Sequence, residues 1–217
     1  MALAIFDLDN TLIAGDSDHS WGVFLVEKQL VDAETYRLAN DKFYADYKNG
    51  TLDIRAYLQF SLAPLTQHSM ETLQKLHAEF MRDHIEPLML SKAEALLQHH
   101  RDQGDHLLII TATNGFVTRP IAKRLGVDDI LATDPEVVDG AYTGNFVGTP
   151  CFQAGKITHL HEWLKHNHHS LDGAYFYSDS INDLPLLEQV DHPVVVDADE
   201  KLIAIANERN WKAISLR

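Results

Sequence analysis

Two aspartates close the first apolar run of the chain, where Ala2-Leu3-Ala4-Ile5-Phe6 leads directly into Asp7-Leu8-Asp9-Asn10-Thr11. Five apolar residues ahead of a polar turn are the pattern of a strand buried on both faces. With Asp7 at the last extended position, Asp9 comes next at strand spacing and can turn to the same side. Like charges ~4 Å apart repel by about 4 kcal/mol at an effective dielectric near 20, so such a pair calls for a cation, a shared proton or solvent. Ligands of open α/β sheets sit beyond the carboxyl ends of the strands, where this pair falls. Two readings are open here: a reaction centre, or turn formers with Asp9-Asn10-Thr11 capping the next segment of chain.

Polar groups recur at strand ends further along. Thr111 succeeds His106-Leu107-Leu108-Ile109-Ile110, and Ser178-Asp179 succeeds Tyr175-Phe176-Tyr177. Parallel strands bring all three ends to one edge. Asp179-Ser180-Ile181-Asn182-Asp183 then supplies two further carboxylates. Four converging acids are frustrated without a metal, and hard oxygen donors with room for waters and a phosphate suit Mg²⁺. Lys156 is either a cation that offsets a bound anion or a solvated lysine at a helix start. Thr111 and the backbone N–H groups of Ala112 and Thr113, ahead of a helix, can hold phosphate oxygens.

These residues need a scaffold, and the pattern supplies one. Helix signals fill the stretch after the first strand: Trp21, Phe24 and Leu25 behind the caps Asp16 to Asp18, then 31–48 closed by Asn49-Gly50, then 54–62 and 70–81. Strand signals are missing from Ala14 to about His84. From Pro87 onward helix and strand alternate, the grammar of a doubly wound α/β sheet. The spacing predicts helices over 91–103, 116–125, 155–165 and 184–189, and strands over 106–110, 130–132, 174–177 and 194–196. Pro120 is expected in the first turn of its helix. Residues 136–147 alternate around Asp139-Gly140, a hairpin signal. The expected fold is a Rossmann-like parallel sheet formed by residues 1–13 and 88–217, with an all-helical cap inserted over 14–87.

Composition narrows the partners. Of 217 residues, 45% are hydrophobic and 23% charged, which suits a soluble globular chain. A formal charge of −14 argues against a nucleic-acid or anionic-membrane surface and for a small ligand. The single cysteine, Cys151, forms no internal disulfide, fits a reducing cytoplasm and reads as packing. No secretory leader or membrane-spanning stretch is expected. His99-His100 and His166, His168 and His169 lie near helix ends and read as solvated.

The motifs Asp7-Leu8-Asp9-Asn10-Thr11, Thr111, Lys156 and Asp179-Ser180-Ile181-Asn182-Asp183 together resemble the haloacid dehalogenase superfamily of phosphohydrolases, in its order and with its spacing. The helical insert after the first motif is similar to the cap of its phosphoserine phosphatase-like branch. The resemblance implies a Mg²⁺-dependent phosphomonoester hydrolase, with Asp7 attacking phosphorus to form an aspartyl-phosphate and Asp9 as general acid, then base. It places the metal on the Asp7 side chain, the Asp9 carbonyl and Asp179, with Asp183 in support, and sets Thr111, Lys156 and Asn182 on the phosphate. An acid at about the Asp16 position would take a substrate ammonium, and a cap arginine a carboxylate.

Asp16 and Asp18 are thus either helix caps or ammonium receptors, and Arg55 is the nearby arginine candidate. An amine-bearing ester without a carboxylate, such as histidinol phosphate, suits two acids and no secure arginine; phosphoserine is the alternative. Asn114, Phe116 and Arg119 lie where they either cap and pack a helix or touch the leaving group. A non-catalytic phospho-acceptor is the competing class, against which the insert, Asp9 and Lys156 count.

Overall fold

The computed structural model describes residues 2–217. Strand β1 (Leu3–Phe6) is buried at every position and sits in the middle of a six-stranded parallel sheet. Around it lie β2 (His106–Ile110), β3 (Asp129–Leu131), β6 (Tyr175–Ser178), β7 (His192–Val196) and β8 (Lys212–Ile214), in the order β3-β2-β1-β6-β7-β8. The chain steps outward through β2 and β3 on one side of β1 and through β6, β7 and β8 on the other. The reversal falls between β1 and β6, and a crevice opens at such a switch point beyond the strand ends.

Strand alternation divides the core in two. Ala4, Phe6, Leu107, Ile109, Val194 and Val196 face one apolar layer. Leu3, Ile5, Leu108, Ile110, Phe176 and Val195 face the other. Helices α5 (Ser91–Asp102) and α6 (Gly115–Leu125) cover the first face; α7 (Ala154–Asn167), α8 (Leu184–Leu187) and α9 (Glu200–Arg209) cover the second. The fold is a doubly wound α/β sheet, as the alternating pattern from Pro87 onward requires.

Between β1 and α5 come α1 (Ser17–Glu27), α2 (Ala33–Asn49), α3 (Ile54–Leu62) and α4 (Met70–Phe80), with no strand among them. Side-chain oxygens cap each helix at its start: Asp16, Asp32, Asp53 and Ser69. Gly50, at φ 74°, ends α2 in the left-handed conformation that glycine adopts without a Cβ clash. Helix α2 lies close on α1 because Gly22 has no side chain. A Cβ there would come 2.5 Å from Asn40, whose amide donates to the His19 carbonyl at 3.1 Å. Trp21, His77, Phe80 and Phe116 then knit α1 and α4 to α6 through ring contacts 5.1–5.9 Å apart. The segments entering and leaving the helical block pair with each other: Ile13 bridges Met89, and the Ala14 N–H donates to the Leu88 carbonyl.

The hairpin β4 (Asp134–Val138) and β5 (Ala141–Val147) turns at Asp139-Gly140 as expected. It leans on the helical block, with Arg55 over the Phe146 ring and Gly144 against Thr66. Two local expectations need correcting. Helix α6 starts at Gly115 behind the Asn114 cap, so Pro120 lies inside it rather than in the first turn; lacking an N–H, it leaves one carbonyl of that helix without its partner. His100 is buried rather than solvated, held between Asp105 and the Tyr177 hydroxyl at 2.8 Å each. Its neighbour His99 gives no hint of this, since adjacent helix positions face different ways. Among the described residues no helix is long and apolar enough to cross a membrane.

Candidate active site

Strand β1 delivers Asp7 to the switch point, and β6 delivers Asp179 beside it. The Asp7 N–H donates to the Tyr177 carbonyl, continuing the β1–β6 ladder past the last strand residue. The Thr11 hydroxyl donates to Asp179 at 3.2 Å and accepts from the Asp179 N–H at 3.1 Å, which ties the two strand-end loops together. The acids expected to share one edge do share it.

Lys156 lies under them. Its ammonium donates to Asp7 at 2.7 Å and to both oxygens of Asp183 at 2.8 and 2.9 Å, with all three side chains buried. Burial works against that charge, but Asp183 and Asp7 outweigh it and hold Lys156 above the ordinary lysine range. It is therefore not a solvated lysine. Ser178 also donates to Asp183, at 2.7 Å.

The backbone that positions Lys156 is tightly built. Gln153, before α7, sits at φ 48° and ψ −118°, a conformation costly for a side-chain-bearing residue. Gly155 passes so near Pro150 that a Cβ would fall 1.9 Å from its carbonyl oxygen. Gly155→Ala is accordingly expected to cost the upper end of about 1–3 kcal/mol and to slow turnover by displacing Lys156, as read by urea unfolding alongside phosphate release. Full stability in this variant would contradict the contact.

Asp9 turns the other way. One carboxylate oxygen accepts from the Ser17 N–H at 2.6 Å and the other from the Thr113 hydroxyl at 2.8 Å. Burial, then the charge of Asp16, pushes its carboxyl up to about 7, where a group can both give and take a proton near neutrality. Asp7 is also pushed up to about 7, by burial against the pull of Lys156. Asp179 is raised well above the usual carboxylate range by burial and by Asp7 and Asp183. One lysine does not balance this much buried negative charge, so the site favours a further cation.

Among the described residues no three His, Cys, Asp or Glu side chains form a ready metal cage. Asp9 is engaged with Ser17 and Thr113, and Asp183 with Lys156 and Ser178. Asp7 and Asp179 remain as the adjoining carboxylates, a small oxygen set of the kind Mg²⁺ completes with waters and phosphate.

The remaining phosphate candidates divide. Thr111 is buried, and its hydroxyl accepts from the Thr113 N–H at 3.1 Å, so that N–H is taken. The Ala112 N–H has no partner among the described residues, and Thr111, Ala112 and Thr113 all line the cleft. Asn182 accepts from Gln153 at 3.2 Å and donates to the Tyr47 carbonyl of α2 at 3.3 Å. It ties the Asp179 loop to the helices above.

Those helices roof a cleft that opens over the strand ends, where small ligands of such sheets are held. Asp7, Asp9 and Thr111 floor it; Asp16, Asp18 and the rings of Phe43, Tyr44, Tyr47 and Tyr57 line the rest. The rings went unrecognised in the sequence because helical spacing alone reads them as packing. Arg55 does not line the cleft. Asn114 caps α6, Phe116 packs on Trp21 and Tyr142, and Arg119 pairs with Asp134, so none of the three faces the ligand space. Cys151 is fully buried toward the Leu131 carbonyl, and burial pushes its thiol up to about 12.

Comparison with known proteins agrees with this arrangement. A family model described as haloacid dehalogenase-like hydrolase matches residues 4–188. The chain is 47% identical over 219 residues to a histidinol-phosphatase of Neisseria meningitidis serogroup C (strain 8013), with 99% of each chain covered. The crystal structure of a protein with unknown function from Bordetella pertussis Tohama I superposes with a TM-score of 0.94 at 41% identity, over 100% of this chain and 99% of that one. A substrate-bound phosphoserine phosphatase superposes with a TM-score of 0.70 at 17% identity, covering 98% and 92%, a likeness of fold.

Proposed function

The chain belongs to the haloacid dehalogenase-like hydrolases and is a phosphatase, and from that premise we propose that it hydrolyses L-histidinol phosphate through an aspartyl-phosphate with the aid of Mg²⁺. The observation that carries the substrate reading is the lining of the cleft. Four carboxylates, Asp7, Asp9, Asp16 and Asp18, face it, and among the described residues no arginine or lysine lines it. A substrate carboxylate would find no counter-ion there, whereas an ammonium finds acids. The histidinol-phosphatase relative supports the same choice.

In this reading Asp7 attacks phosphorus in line and the P–O ester bond breaks. Asp9 gives its proton to the departing alkoxide oxygen, and the alcohol leaves. A water then attacks the phosphorus of the aspartyl-phosphate, Asp9 takes its proton, and inorganic phosphate departs with the Asp7 carboxylate restored. Asp7, Asp179 and the Asp9 carbonyl would hold Mg²⁺, which would offset charge on the phosphoryl oxygens. Lys156 adds a second fixed positive charge and holds the Asp7 carboxylate in place. Thr111 and the Ala112 N–H hold phosphate oxygens. Residues 14–87 act as the cap that shuts the leaving group away from water, over a core of 1–13 and 88–217.

The test is phosphate release from a panel of monoesters with Mg²⁺ and after chelation. Histidinol phosphate is expected to exceed phosphoserine in kcat/KM by ~10²-fold or more, the scale set by leaving a buried carboxylate unpaired. Chelation is expected to abolish turnover and added Mg²⁺ to restore it. Equal rates on the two esters would remove the substrate assignment and leave the phosphatase standing.

A further inference from the structure

Asp16 and Asp18 both reach the cleft, but their surroundings differ. Asp16 is the N-cap of α1, and its carboxylate accepts from the His19 N–H at 2.8 Å. Asp18 lies within the first turn, only 8% exposed, and its Oδ1 has no hydrogen-bond partner among the described residues. Buried carboxylate oxygens are ordinarily satisfied, because leaving one without a donor forfeits the hydration it had in the unfolded chain. The Tyr57 hydroxyl is near enough to offset part of the rise that burial and the Asp16 charge impose on the Asp18 carboxyl. No cation does so. His19, the one basic side chain lining the cleft among the described residues, pairs with Asp41.

The roof is graded along its length. Tyr47, on α2, stands at the phosphate end, where its carbonyl accepts from Asn182 of the Asp179 loop at 3.3 Å. Tyr57, on α3, feels Asp18 and Asp16, so it stands over the other end, and the Phe43 ring meets it edge-on at 5.2 Å. An ammonium beside Asp18 would therefore also meet aromatic faces, which attract cations.

We propose that Asp18, rather than the helix-capping Asp16, is the receptor for the substrate's ammonium, which makes phosphomonoesters carrying a primary amine and no carboxylate the preferred class. The assignment rests on the phosphomonoesterase reading. It departs from the family resemblance, which puts the ammonium at the Asp16 position.

The experiment compares histidinol phosphate with the same ester bearing hydrogen in place of the ammonium, using wild type, Asp18→Asn and Asp16→Asn. For Asp18→Asn the ratio of the two kcat/KM values is expected to fall about 100-fold, mainly through KM for the amine ester. Asp16→Asn is expected to slow both esters together and leave the ratio in place. Calorimetry with L-histidinol, which needs no turnover, is expected to show binding to wild type and its loss in Asp18→Asn.

Because burial disfavours the ionised Asp18 and one of its oxygens has no donor among the described residues, Asp18→Asn is also expected to melt above wild type; a merely structural aspartate would lower the melting temperature instead. An unchanged ratio in Asp18→Asn, or a ratio that moves with Asp16→Asn, overturns the assignment. Wild type that binds histidinol but hydrolyses neither ester would overturn the phosphatase reading and leave the amine site standing.

Discussion

Asp7→Asn is expected to leave a folded protein whose turnover falls by ~10⁴-fold or more, the scale reached when a covalent nucleophile is removed. The substitution is nearly isosteric and leaves the main chain alone, so the Asp7 N–H still donates to the Tyr177 carbonyl. The amide keeps an oxygen that can accept from Lys156 but cannot form the acyl phosphate. Folding should not suffer, because burial already holds the Asp7 carboxyl at about 7 and the variant removes an acid from an over-charged site. Phosphate release together with a thermal melt checks both halves. Turnover within tenfold of wild type would mean that another group attacks phosphorus, and the proposed mechanism would fall. Complete loss with an intact melt also separates an enzyme from a phospho-acceptor, which has no turnover to lose.

The second large effect belongs to Lys156→Met. Methionine fills much the same space, but Asp7 and Asp183 lose the ammonium they share, and both are buried. Breaking a buried pair from one side costs about 3–5 kcal/mol, because the stranded charge keeps its desolvation penalty. Here two carboxylates are stranded by one substitution. The expected result in urea is a midpoint shift of that size, with activity lost as well. Added Mg²⁺ should recover part of the stability and little of the activity, since a bound cation relieves the charge without restoring the geometry of Asp7. A loss below about 1 kcal/mol would show that the ion pair does not hold this edge together.

Much of the frame is readable along the chain because its signals are local. Apolar runs mark the buried strands, polar residues mark their ends, and Asp139-Gly140 sets the hairpin. Strand ends are also where Asp7, Thr111 and Asp179 sit, so fold and site are legible through one pattern. The features that stay hidden depend on partners distant in sequence. Whether Asp16 or Asp18 is free depends on which of them the start of α1 uses as its cap, and both are plausible caps by type. Asn182 reads along the chain as a phosphate ligand, and its bond to the Tyr47 carbonyl, 135 positions away, is something no local pattern announces. For Lys156 the sequence leaves a site cation and a solvated lysine both open, and the choice between them rests on Asp7 and Asp183, 149 and 27 positions away. His100 stands in a polar and charged run, Gln98 to Gln103, and only the position of Tyr177 on the sheet explains its burial.

Cys151 makes the molecule its own reporter. As the chain's sole thiol, enclosed beside β3 and held in its unreactive protonated form at ordinary pH, it is invisible to a thiol-directed dye until the neighbourhood of α7 opens. The labelling rate of untreated protein is thus a clock for that opening, at the edge that also carries Lys156. Ligands that fasten the cleft should slow the clock, and no engineered probe is needed to hear it tick.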